Sequence, residues 1–177
     1  MAHRGALTAL IAGVLALAAC RPSPPPVGQV REPPPPRPPA AQTRAVTLFF
    51  LGASSGELIP ALGEMETSPD PAANARRVLD LLLAGPRDPG LVPPLPPGTS
   101  IRGVYPLGDV LVADLALPPD TPPLEGTHNE MDIAYAVVNS VCLNVPEFKG
   151  VRLLLNGTDR SPLVSHLDLT RPLRPRL

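Results

Sequence analysis

The sequence predicts an α/β (α+β) domain: a mixed β-sheet with two helices packed mainly on one face, in the order β-α-β-β-α-β, behind a disordered proline-rich linker. Three observations predict it. Two stretches repeat apolar residues at helical period, Ala75, Val78, Leu79 and Leu82 in one, Met131, Ala134, Tyr135, Val138 and Cys142 in the other. Runs of apolar and β-branched residues at 46–51, 101–105, 110–115 and 151–155 alternate with them. About ten of the 28 prolines crowd into 21–44, a composition that builds no core.

The first twenty residues, MAHRGALTALIAGVLALAAC, place a basic Arg4 before an apolar run of about fifteen residues, which is signal-peptide length and short for a bilayer span. Leu17-Ala18-Ala19-Cys20 is similar to the bacterial lipobox, whose small residues fit a signal peptidase and whose cysteine becomes a lipidated N-terminus. Residues 1–19 are therefore expected to be a lipoprotein signal peptide, and Cys20 the lipidation site. Each buried methylene contributes about 0.8 kcal/mol, so two acyl chains hold a protein stably at a membrane. The membrane is the expected partner through Cys20, on the extracytoplasmic side. Cys142 is left without a pairing cysteine, so no disulfide is expected.

Residues 20–44 form the linker. At about 3.1 Å per residue in the polyproline II conformation it reaches as far as ~70 Å, with Arg21, Arg31, Arg37 and Arg44 along it. The folded domain is expected at 45–173 and a tail at 174–177. Between 45 and 170 about 15 acidic residues face about 7 basic ones, a charge that repels nucleic acid and anionic bilayers. With no tryptophan, two tyrosines and three phenylalanines, little aromatic surface is left for stacking on bases.

Within the domain, Val46 to Leu51 reads as a buried strand closed by Gly52, and 57–66 as a short second strand with a poor apolar pattern. A helix follows from Pro71, whose missing N–H is unneeded in a first turn and which Ser68 or Asp70 caps; Gly85 and Pro86 end it at Ala84. Proline-rich chain at 86–98 leads to a hairpin, 101–105 and 110–115, turning at Leu107-Gly108-Asp109. Thr127 and Glu130 have capping-box spacing for the second helix, which Pro146 terminates. Val151 to Leu155 is a strand, Asn156-Gly157 a turn, and 162–169 a returning edge strand.

Serial landmarks carry a family resemblance. Leu81-Leu82-Leu83-Ala84-Gly85-Pro86, Gly90-Leu91-Val92-Pro93, Pro96-Pro97-Gly98-Thr99, Gly108-Asp109-Val110 and Val112-Ala113-Asp114 resemble the core of the GerMN domain, named from sporulation and spore-germination proteins. Val138-Asn139, Phe148-Lys149-Gly150-Val151, Asn156-Gly157 and His166-Leu167-Asp168-Leu169 continue the pattern in the same order. The resemblance covers 45–173 in a single copy. It implies a non-catalytic role in assembling or scaffolding envelope complexes, including those of sporulation and germination.

The residues offer little for catalysis, so the protein is not expected to be an enzyme. His166 and Asp168 share a face of an extended segment while Ser165 points away, which breaks a local Ser-His-Asp relay. His128 and Asp132 lie at i and i+4 without HExxH or CxxC spacing, so no metal and no cofactor is expected. Asp109 belongs to its turn and stands too far from Asp114 for an acid pair. Cys142 reads as core filler.

Binding remains, and Leu91, Val92 and Leu95 in the stiff 86–97 loop are the candidate contacts for an unknown envelope protein. The alternative packs them back over the sheet. Two other function classes stay open: an envelope hydrolase acting on cell-wall material through His128 or His166, and a small-ligand carrier with an apolar cavity of roughly 300 Å³ or more. For the anchor the expected outcome is concrete: wild-type chain incorporates labelled palmitate and sediments with membranes, whereas Cys20→Ser does neither.

Overall fold

Thr43–Gly52 forms strand β1, the first element of a computed structural model that describes residues 42–122, 127–159 and 167–176, the side chains of 127–129 excepted. The expected signal peptide, Cys20 and the expected linker as far as residue 41 lie outside the described residues, whereas Thr43 and Arg44 of that linker already belong to β1; the described residues all fall within one unit, Pro39–Leu177. After β1 come β2 (Leu58–Glu66), α1 (Pro71–Ala84), β3 (Leu91–Val92), β4 (Ser100–Leu107), β5 (Val110–Ala116), α2 (Thr127–Asn144) and β6 (Gly150–Leu155). The α+β class and the alternation of strands and helices hold. The strands, however, divide between two three-stranded sheets, β2-β1-β3 and β4-β5-β6, where the sequence predicts one.

The reason for the division lies at one edge of β1. Its other edge pairs antiparallel with β2 throughout, from Thr43 opposite Glu66 to Leu51 opposite Leu58. Where a further strand would continue the sheet, α2 lies instead and supplies side chains as hydrogen-bond partners. The Phe49 N–H donates to Ser140 Oγ at 3.0 Å, and the Thr47 N–H donates to Asn144 Oδ1 at 3.0 Å. Asn144 Nδ2 donates back to the Thr47 carbonyl at 2.6 Å. The match is geometric: four helical residues rise about 6 Å and two strand residues about 6.8 Å, so i, i+4 on α2 meets alternate positions of β1. The Arg44 guanidinium closes the contact by donating to the main-chain oxygen of Asn144 at the helix end.

This placement buries α2 on every side. Residues 133–141 are all buried, so the helix is not the amphipathic element that Met131, Ala134, Tyr135, Val138 and Cys142 suggested. It packs on α1, on β1 and on β6, while α1 packs on β1 and β4, so each helix touches both sheets. Ala75, Val78, Leu79 and Leu82 of α1 are buried as the spacing predicts, and Asp70 caps the helix by accepting from the Ala72 N–H at 2.9 Å. Gly85 ends the helix at φ 84° and ψ 171°, an extended positive-φ conformation open to glycine rather than the left-handed helical one, and its N–H donates to the Leu82 carbonyl.

In the second sheet β4 and β5 pair antiparallel and β5 and β6 parallel, with Leu111, Ala113, Leu115, Val151, Leu153 and Leu155 wholly buried. The Asn156-Gly157 turn has φ 54° and 79°, and it locks the end of β5: Asn156 Oδ1 accepts from the Leu117 N–H, and the Gly157 N–H donates to Asp114 Oδ1. Residues 162–166 of the expected returning strand lie outside the described residues, and 167–169 form a bend and the start of a turn rather than a strand. The neighbour of β6 is Leu173, which exchanges two 2.8 Å main-chain hydrogen bonds with Val151. Beyond it, Arg176, in the segment read as a tail, bonds through both its N–H and its carbonyl to the buried amide of Asn139.

Among the described residues no helix is long and apolar enough to cross a membrane. Asn144→Ala leaves the Thr47 N–H and carbonyl without partners, and should destabilise the domain by about 2–4 kcal/mol; Ser140→Ala, which strands one N–H, should cost about 1–3 kcal/mol. Urea unfolding checks both, through a lowered midpoint at unchanged slope.

Candidate binding groove

Because α2 occupies one side of β1, β2 is left as the outer strand of its sheet, and the space beneath it is only partly filled by α1. Val46, Leu48 and Phe50 share a face with their partners Gly63, Ala61 and Ile59, and that face looks toward α1. Beneath β2 the C-terminal end of α1 and the following loop stand back from the sheet. The result is an open groove of about 810 Å³ with Leu48, Phe50, Ile59, Ala61, Leu81 and Leu91 among its lining.

Its far wall is held by main-chain bonds. Asp88 Oδ1 accepts from the Gly90 N–H at 2.8 Å, and the Leu91 N–H donates to the Asp88 carbonyl at 3.1 Å. The Ala53 N–H donates to the Gly90 carbonyl at 2.9 Å, and Leu91 and Val92 pair with Gly52 and Leu51 as β3. Loop 86–92 is thereby stitched to the end of β1. Glu64, Arg87 and Asp88 stand exposed at the mouth. The groove is apolar inside and charged at its rim, the distribution of a site that binds by contact and orients by charge.

The comparisons with known proteins agree with this architecture. The family model described as Germane, sporulation and spore germination, matches residues 47–161. The chain belongs to the Germane family. Solved structures carry the same fold at low identity. The tandem GerMN domains of the sporulation protein GerM from Bacillus subtilis match at TM-score 0.56 and 16% identity, over 79% of this chain and 48% of that one. The first GerMN domain of that protein matches at 0.51 and 19%, over 64% and 84%. A candidate lipoprotein of Clostridium perfringens matches at 0.51 and 17%, over 75% and 87%. Among curated proteins, none matches the chain.

Within this Germane-family fold the residues singled out from the sequence separate. Leu91 is half-buried and lines the groove, and Val92 is 40% exposed beside it. Leu95 is 5% exposed and belongs to the hydrophobic core, so it offers no contact surface; the loop folds it back over the sheet. Cys20 lies outside the described residues, as do His166 and the side chain of His128. Asp109 is exposed in its turn, where its carbonyl accepts from the Lys149 N–H, while Asp114 is buried against the Gly157 N–H and Arg102. No cluster of metal-ligating side chains occurs among the described residues.

The strand expected at 57–66 is present as β2, and what its sequence did not disclose is that it borders a groove. Ile59 is 38% exposed and Leu62 85% exposed, in a stretch whose apolar residues follow one another without alternating. The usable signal was Pro60, since a proline inside a β-rich run marks an outer strand.

Cys142 is half-buried on α2, and burial pushes its thiol up to about 11, the nearby Lys149 charge pulling slightly the other way. The folded state therefore favours the neutral thiol, and the stability this contributes is lost as pH rises from the unfolded value near 9 toward 11. At pH 8 the native thiol should react with a disulfide reagent about 100-fold more slowly than in the urea-unfolded chain, two pKa units of thiolate population. Stopped-flow absorbance gives the ratio; equal rates would contradict it.

Proposed function

We propose that the chain is a membrane-anchored envelope lipoprotein that displays a non-catalytic, protein-binding domain of the Germane family, serving cell-envelope or sporulation and germination assemblies. The observation that carries this reading is the groove of about 810 Å³, whose apolar lining continues onto exposed Ile59 and Leu62. Large apolar side chains held in water by an otherwise well-packed domain are the mark of a surface that is covered in use. The lining residues bring no histidine, cysteine, serine or lysine to the groove, so its chemistry is that of contact. The lipobox at 17–20 and the fold shared with the candidate clostridial lipoprotein support the anchor. A tethered domain meets membrane-bound partners at raised effective concentration, which lets a modest groove suffice.

A second reading, a carrier of a small apolar ligand, is favoured by the same volume, which lies within the roughly 300–1,000 Å³ of such sites. A photocrosslinking amino acid at Leu62 of the full chain, expressed in its own cells, separates the two. The binding-module reading expects one protein adduct from the membrane fraction, absent when the crosslinker sits at Tyr105 on the other sheet and lost in Ile59→Glu at unchanged melting temperature. Adducts with lipid or small molecules alone would favour the carrier.

A further inference from the structure

The two faces of β1 determine which main-chain groups of β2 are free. Thr47 and Phe49 turn their N–H groups toward α2, so opposite them Leu62 turns its N–H and carbonyl, and Pro60 its carbonyl, away from β1. The same parity makes Leu58 and Glu64 point outward, and Glu66 confirms it, its outward carbonyl accepting from Arg77 Nη1 of α1 at 3.1 Å. Leu58, Leu62 and Glu64 thus present N–H and carbonyl groups along a strand edge that no other described strand pairs with, directly above the groove, with Pro60 contributing a carbonyl and no donor.

We propose that this edge binds an extended peptide segment of the partner protein as an added strand, with alternate apolar side chains dropping into the groove and basic ones facing the rim. The inference rests on the binding-module reading above and names its partner's chemistry. Three features select that occupant. The outward hydrogen-bonding groups recur at strand spacing, which a helix or an acyl chain leaves unsatisfied. Alternation sends every second side chain of an added strand to the face of Ile59 and Ala61, where the apolar hollow begins. The edge is acidic: Glu57, Glu64 and Glu66 are exposed, with no lysine or arginine between 57 and 66. A second copy of β2 is a poor occupant, because it brings the glutamates of both copies onto one short ladder.

The test measures fluorescence anisotropy of an acetylated heptapeptide alternating valine and lysine against the purified full chain in neutral detergent. Saturable binding is expected. It should weaken at least ~30-fold when all the internal backbone amides of the peptide are N-methylated, and as strongly when glutamate replaces lysine. Leu62→Pro removes an outward donor without touching the β1–β2 ladder and should weaken binding ~10-fold, whereas Leu62→Ala should change it less than ~3-fold. The N-methylated peptide keeps the test valid should Leu62→Pro fold poorly. No saturable binding, or equal binding of the parent and N-methylated peptides, overturns the proposal. Should the Leu62 crosslink still capture a protein while the heptapeptide fails, strand addition is overturned and the binding-module reading stands.

Discussion

The structure depends on a helix acting as the neighbour of a strand. A central strand must satisfy hydrogen-bonding groups on both edges, and β1 has a full-length strand on one side only, the other edge carrying just the two-residue β3 at its end. Ser140 and Asn144 stand in for the other, giving Thr47 and Phe49 the partners that a ladder would have given. Two buried hydroxyl and amide groups thereby replace a strand, and the exchange works because each is satisfied in turn. Asn139, one residue along, repeats the device on the chain around Arg176, whose guanidinium also stacks over Tyr135 at 4.7 Å. A single helix turn thus binds main chain on two sides.

Much of the architecture follows from that contact. With α2 along β1, the first sheet ends there, and β4, β5 and β6 assemble as a second sheet around the helix pair. The helix is enclosed, and its apolar residues face in all directions. On the far side β2 is left exposed, with the groove beneath it. Pro60 suits that position: its missing donor breaks the regular edge and discourages indiscriminate pairing, while the residues on either side keep theirs. The closed edge stabilises and the open edge is available for recognition.

Much of the fold was legible because turns and helix ends have local chemistry. Asp70, Pro71, Gly85 and Asn156-Gly157 act where their backbone preferences place them. The helix α1 stripe was legible for the same reason, its period being a property of the segment itself. What sequence could not show was partnership at a distance. Ser140 and Asn144 read as ordinary polar positions of a surface helix, since nothing local says that a strand about 90 to 100 residues earlier needs their hydrogen bonds. The single expected sheet became two for that reason. Of the candidate contacts, Leu91 lines the groove, Val92 is exposed beside it and Leu95 is in the core, a distinction set by how the loop is stitched to β1. Ile59 and Leu62 read only as members of a short strand at 57–66, and not as exposed surface, because an outer strand half in water has little alternation to display.

Native-state amide hydrogen exchange on the full chain tests the central claim, that α2 closes one edge of β1 while β2 stays open, most directly. The amides of Thr47 and Phe49 are expected to exchange only through global unfolding, as slowly as those of β5, while Leu58, Leu62 and Glu64 exchange several orders of magnitude faster. Fast exchange at Thr47 and Phe49, or protection of Leu62 equal to theirs, would contradict it.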